Sequence, residues 1–134
     1  MKSRTTMRSA SGNVLVTVVT SACLLFGAGA ALAEDIPAAA TQEAETVWQS
    51  RCTTCHGAGG KGDGAAAVAL TPKPRDLTLA SWQSSVTDAH IEKIIAEGGQ
   101  AVGLSMLMPA NPDLAPKADV IKALRARVRS LQAN

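Results

Sequence analysis

The residues best suited to chemistry lie within five consecutive positions, Cys52-Thr53-Thr54-Cys55-His56. Two thiols separated by two residues and followed at once by an imidazole suit three kinds of site. They can supply half of a zinc site, a redox-active disulfide, or the attachment point of a covalently bound haem. The rest of the chain must decide among these three.

Zinc and disulfide chemistry are poorly supported by the remaining residues. A structural zinc site needs four ligands, and His90 is the one usual nitrogen ligand left outside the motif. Redox C-x-x-C motifs usually belong to domains of alternating strands and helices, whereas this chain shows helical patterns and no convincing strand. Haem attachment uses every residue of the motif, because Cys52 and Cys55 can form thioethers with the two vinyl groups while His56 ligates iron.

The first 33 residues predict export. Lys2, Arg4 and Arg8 precede a mostly apolar run that ends in Ala31-Leu32-Ala33. This pattern predicts a signal peptide over residues 1–33, cleaved after Ala33, and a periplasmic location for the rest. The alternative is an uncleaved signal that tethers the domain to the membrane.

The charge of the chain changes once the signal is removed. The full sequence has 13 basic and 11 acidic residues, a formal net charge of +2. Loss of Lys2, Arg4 and Arg8 leaves 10 basic residues against 11 acidic ones, so the exported part has a formal charge of −1. The nearly equal numbers of basic and acidic residues in the exported part therefore give no support for nucleic-acid binding.

The exported part has the length of one domain and an unusual core composition. It contains no Phe or Tyr, and Trp48 and Trp82 are its only aromatic residues. Its only cysteines are those of the motif, so it has no disulfide framework. Small domains with so few large side chains often need a cofactor to complete the core.

Local patterns predict three main helices. We expect a loose tail at 34–40 and a domain at 41–134, with Thr41 capping a helix that leads into the motif. One side of that helix carries Ala44, Val47, Trp48, Arg51 and Cys52.

Two further helices follow in the second half of the chain. Thr87 can cap a helix that ends at Gly98, with Val86 and Ile91 as a hydrophobic staple. The last helix is predicted to begin near Pro116. Its apolar face contains Val120, Ile121, Leu124, Val128 and Leu131, and Lys122, Arg125 and Arg129 are predicted to form a solvated stripe.

With these features the chain resembles the exported, single-haem class I c-type cytochromes of bacteria. The resemblance covers CTTCH, GKGDG, TPKPRDL, the helix after SWQ, SMLMPANPDL and the final helix. It implies an all-α fold, the small cytochrome c fold, with three main helices and loops wrapped around one covalent haem c. It also implies an electron carrier that is not an enzyme and that exchanges electrons with unidentified redox partner proteins.

The resemblance implies axial ligands for the haem iron. His56 would be the proximal ligand, and Met108 the distal one because a proline follows it directly. Met106 would then pack or face solvent. A carbonyl of Pro72 or Pro74 would accept the proton of His56, and the choice between these two prolines stays open.

Other implied roles have ordinary alternatives. Arg75 and Trp82 are candidates for contacts with the haem propionates, or else a solvated arginine and a core tryptophan. Ala44 stands where the family usually has glycine, and Arg127 where it usually has an aromatic residue. A cation–π contact between Arg127 and Trp48 could replace the usual aromatic pair.

Two other functions stay open at the level of sequence. A labile distal ligand would make the protein a haem-based ligand binder or a minor peroxidase-like enzyme. A permanent partner would make it the electron-transfer subunit of a larger dehydrogenase.

Overall fold

The computed structural model describes residues 35–133, and the predicted signal peptide at 1–33 lies outside that range. The described residues form helices and loops without a strand, which confirms the all-α class. None of the described helices is long and apolar enough to cross a membrane. The α-helices are α1 (Ala38–Val47), α2 (Thr53–His56), α3 (Ala80–Ser85), α4 (Asp88–Glu97) and α5 (Ala118–Arg129).

Helix α1 begins earlier than predicted. Pro37 precedes its first turn with an extended backbone (φ −55°, ψ 139°), and Ala38 is already helical. Alanine has the highest helix propensity, and Ala40 is buried, so residues 38–40 join the helix instead of forming a loose tail. The predicted cap at Thr41 is therefore wrong. Its hydroxyl lies inside the helix and donates to the Pro37 carbonyl at 3.3 Å.

A π-helical turn, Trp48–Cys52, joins α1 to α2. Ala44, Val47 and Trp48 are buried as predicted, but Arg51 is exposed. A π-turn contains an extra residue relative to an α-turn, so it shifts the side chains that follow it. The helical path thus leads into the Cys52–His56 motif as predicted, while Arg51 lies outside the core.

Helices α1 and α5 pack together through small side chains and Trp48. Ala44 and Trp48 are each 2% exposed, and Ala123 of α5 is buried in the same core. The Arg127 guanidinium carbon lies 5.2 Å from the centre of the Trp48 ring, which confirms the predicted cation–π contact. Arg127 Nε also donates to Glu45 Oε2 at 3.2 Å.

The boundaries of α4 agree with the sequence, whereas α5 starts later than predicted. The Thr87 hydroxyl accepts from the His90 N–H at 3.1 Å, and Gly98 ends α4 with a φ of 81°. Helix α5 begins at Ala118, not near Pro116. Residues Pro112–Leu114 form a separate 3₁₀ turn, and the Lys117 backbone (φ −115°, ψ 61°) interrupts the helical path before α5.

Two arginines of the predicted solvated stripe on α5 instead tie that helix to α3 and α4. Arg125 is 12% exposed and pairs with Asp88 and Glu92. Arg129 donates to Asp88 and to the backbone carbonyls of Gln83 and Val86, at 2.6–2.7 Å. The prediction was wrong for both residues because the corner between α3 and α4 covers that side of α5.

The contact between Arg127 and Trp48 should contribute measurably to stability. We expect Arg127→Ala to lower the free energy of unfolding by about 0.5–1 kcal/mol, since it removes the cation–π contact and the Glu45 pair together. Glu45→Gln removes the charge of the pair alone and should cost less. Urea unfolding followed by circular dichroism would compare the two variants. Equal losses would mean that the ring contact contributes nothing.

Candidate haem site

A cavity of about 250 Å³ lies between the CTTCH motif and the loop that precedes α5. Its walls are mainly apolar, and its charged side chains are all basic. The lining residues are Arg51, Cys52, Cys55, His56, Leu70, Pro72, Lys73, Pro74, Arg75, Gly99, Leu104, Ser105, Leu107, Met108, Pro109 and Asn111.

Both cysteines of the motif line this cavity. Cys52 closes the π-helical turn and Cys55 lies in α2, so one helical path holds both sulfurs on the same wall. Burial raises the pKa of Cys52 to about 11.

His56 lies at the end of α2, where a backbone carbonyl orients its ring. Nδ1 lies 3.1 Å from the carbonyl oxygen of Arg75. A carbonyl can only accept, so Nδ1 carries the proton and Nε2 keeps the lone pair that can ligate a metal. Burial lowers the pKa of His56 although the Arg75 bond opposes this, which favours the neutral, ligating form.

The acceptor of the His56 proton is therefore neither Pro72 nor Pro74, and both alternatives predicted from the resemblance are wrong. The Pro74 carbonyl faces Gly62 so closely that a Cβ on Gly62 would overlap it. The next carbonyl along the chain, that of Arg75, turns to the imidazole.

The glycine-rich loop after the motif holds this arrangement in place. The Gly62 N–H donates to the His56 carbonyl at 2.8 Å, and the Gly64 N–H donates to the Cys55 carbonyl at 3.1 Å. Gly62 has a φ of +75°, a conformation that L-residues with a side chain rarely adopt. The loop thus satisfies carbonyls at the end of α2 and packs against the segment that orients His56.

The loop that precedes α5 forms the facing wall of the cavity and contributes a methionine to its lining. Met108 lines the cavity, and its carbonyl accepts from the Gly99 N–H at 3.0 Å. Met106 is 71% exposed and is not among the lining residues. The loop therefore brings Met108 to the site and leaves Met106 in solvent.

The other residues singled out from the sequence divide between cavity and core. Arg75 lines the cavity, whereas Trp82 packs against the hydrophobic core and does not line it. His90 lies in the first turn of α4, and its backbone N–H completes the Thr87 cap. Within residues 35–133, no three His, Cys, Asp or Glu side chains come together as a zinc site would need.

Sequence reasoning missed two basic residues of the cavity. Arg51 pairs with Asp113, 62 positions away. Lys73 donates to the carbonyls of Ala67 and Val68 at 2.7 and 3.2 Å. The position of Arg51 directly before Cys52 was a usable signal that it lies at the site. Its pairing with Asp113 left no local signal, because the two residues are far apart in the chain.

The fold and the cavity together define a c-type cytochrome domain. A family model described as Cytochrome C oxidase, cbb3-type, subunit III matches residues 39–125, well over half of the chain. The chain belongs to this family. Comparison with curated proteins gave no match.

A c-type cytochrome domain carries covalently bound haem c, and the residues present fit that group. Cys52 and Cys55 have the attachment spacing and share a wall with a neutral imidazole. The facing wall includes a methionine, and leucine and proline residues contribute much of the remaining lining. This donor set suits a haem iron, and the apolar lining suits the macrocycle.

The loop glycines provide a test of how His56 is held. Gly62→Ala should strain the backbone by about 1–3 kcal/mol and displace the segment that carries the Arg75 carbonyl. We expect a lower melting temperature and less haem incorporated per protein. Gly59→Ala is the matched control, because a Cβ there meets no atom within 4 Å. Equal behaviour of the two variants would contradict this account of His56.

Proposed function

We propose that the protein is an exported, single-domain electron carrier and not itself an enzyme. In this proposal Cys52 and Cys55 attach the haem, and His56 and Met108 are the axial ligands of its iron. The observation that carries the proposal is that Met108 lines the same mainly apolar cavity as Cys52, Cys55 and His56.

The residues around the cavity suit one-electron transfer. Bound haem supplies an iron that changes oxidation state by one electron. The Arg75 carbonyl fixes the ring of His56 and increases its basicity. As a ligand, the soft sulfur of Met108 would favour ferrous iron and so would raise the reduction potential. The His56 ring is bonded to the Arg75 carbonyl and the Met108 carbonyl to the Gly99 N–H, and these bonds would limit movement of both residues when the charge of the iron changes.

The family description favours a second candidate of a different kind. It names a subunit of an oxidase, so the domain could serve as the electron-transfer part of a larger respiratory complex. Purification of the tagged protein from its native membranes and periplasm would distinguish the free carrier from the subunit of a complex. A stoichiometric large partner would support the subunit, and a monomeric haem protein would support the free carrier.

The haem-based ligand binder is distinguished by exogenous ligands. A six-coordinate iron with two protein ligands binds carbon monoxide slowly, because a protein ligand must leave first. Rapid binding of carbon monoxide to the reduced wild-type protein would overturn the electron-carrier proposal in favour of ligand binding.

Met106 gives a matched control for the ligation by Met108. We expect Met108→Leu to abolish the weak far-red sulfur-to-iron absorption band of the oxidised protein and to allow rapid carbon monoxide binding. Met106→Leu removes a thioether two residues away that lies in solvent, and should change neither property. A band that persists in Met108→Leu and disappears in Met106→Leu would show that Met106, not Met108, is the ligand.

The export part of the proposal is tested separately. Cleavage after Ala33 predicts that the periplasmic protein begins at Glu34. Intact mass measurement of the exported protein would show the mass of residues 34–134 plus one haem. A mass that includes residues 1–33, with the protein in the membrane fraction, would instead establish the uncleaved anchor.

A further inference from the structure

An ion pair connects the two walls of the haem cavity. The attachment wall contains Cys52, Cys55 and His56, and the facing wall is the loop that contains Met108. Arg51 directly precedes Cys52 on the attachment wall, and its guanidinium binds both carboxylate oxygens of Asp113 at 2.9 Å. The same group donates to Asn111 Oδ1 at 3.2 Å. Asn111 and Asp113 follow Met108 in the loop of the facing wall. Arg51 and Asn111 also line the cavity.

The partners of Arg51 belong to the segment that positions Met108. Asn111 Nδ2 donates to the Ile95 carbonyl at 2.7 Å, and its backbone N–H donates to the Ala96 carbonyl at 2.9 Å. The Met108 carbonyl accepts from the Gly99 N–H. One side of the loop is thus bound to the end of α4 and the following turn, and Arg51 supplies a direct bond to the attachment wall.

We propose that Arg51 is a positioning residue that holds the Met108 loop closed over the haem by its bonds to Asn111 and Asp113. This inference rests on the proposed function, in which Met108 is the distal ligand. Arg51 acts through the loop and not by contact with the iron.

The chemistry of the pair suits this role better than a role in global stability. Arg51 and Asp113 are 45% and 52% exposed, and exposed pairs contribute little to unfolding free energy. A planar guanidinium can bind a carboxylate with two parallel bonds and still reach Asn111, which an ammonium group cannot do. Mutual hydrogen bonding lowers the pKa of Asp113 and raises that of Arg51, so both stay charged at neutral pH.

A second ion pair of the same kind serves as the control. Lys117 Nζ lies 2.6 Å from Glu43 Oε1, and the two side chains are 45% and 41% exposed. This pair joins α1 to the residue before α5, and neither partner lines the haem cavity. The charge of Lys117 also acts on Asp113, and Glu43→Gln removes the control pair while keeping that charge, so the Met108 loop should not be affected.

The experiment uses the haem-loaded protein and the variants Arg51→Gln, Arg51→Lys, Asp113→Asn and Glu43→Gln. Carbon monoxide binding to the reduced protein reports opening of the loop, and the far-red band of the oxidised protein reports Met108 ligation. Arg51→Gln and Asp113→Asn should each bind carbon monoxide about fivefold faster than wild type, the factor expected for the loss of an exposed pair at the upper end of its range. Arg51→Lys should bind carbon monoxide at a rate between those of Arg51→Gln and wild type. Glu43→Gln should bind it at the wild-type rate.

Asp113→Asn keeps the test valid if variants at Arg51 mature poorly, because it breaks the same pair without changing a residue beside the attachment motif. Wild-type rates in both Arg51→Gln and Asp113→Asn, or an equal acceleration in Glu43→Gln, would overturn the positioning role alone. Absence of the far-red band from the wild-type protein would overturn Met108 ligation first, and this inference with it.

Discussion

Helices α1 and α5 pack through buried alanines and Trp48, and the position of the haem site depends on this contact. Because α1 continues through the π-helical turn into α2, whatever fixes α1 also fixes Cys52, Cys55 and His56. Small side chains such as Ala44 let the two helices approach each other, and Arg127 covers the Trp48 ring where a second aromatic residue would otherwise pack. The attachment wall is thus held in place by the helical core.

The facing wall is constructed differently, from hydrogen bonds and one ion pair. Met108 lies in a loop that is anchored to the end of α4 through Gly99 and Asn111, and to the attachment wall through Arg51. Leu104 and Leu107 of this loop line the cavity although each is about half exposed. Such apolar side chains gain a partner when haem fills the space between the walls, so the cofactor completes a core that contains few aromatic residues.

The arginines show how charge is used in this small domain. Arg125 and Arg129 join α5 to the corner between α3 and α4, while Arg127 covers Trp48. Arg51 instead joins the π-helical turn to the segment that follows Met108. A guanidinium can satisfy several acceptors in fixed directions, so one side chain can connect elements that share little apolar surface.

Short-range patterns in the sequence were enough to determine the all-α class, the attachment motif, the Thr87 cap and the end of α4 at Gly98, because each depends on residues within one or two turns. The contact between Arg127 and Trp48 was also predictable, since the family resemblance aligned the two positions. Tertiary structure alone decided that Arg75 supplies the carbonyl for His56, because the close approach of Gly62 to Pro74 sets which carbonyl turns inward. It also decided that Arg125 and Arg129 are paired and that Arg51 reaches Asp113, since such bonds join residues far apart in the chain and leave no local pattern.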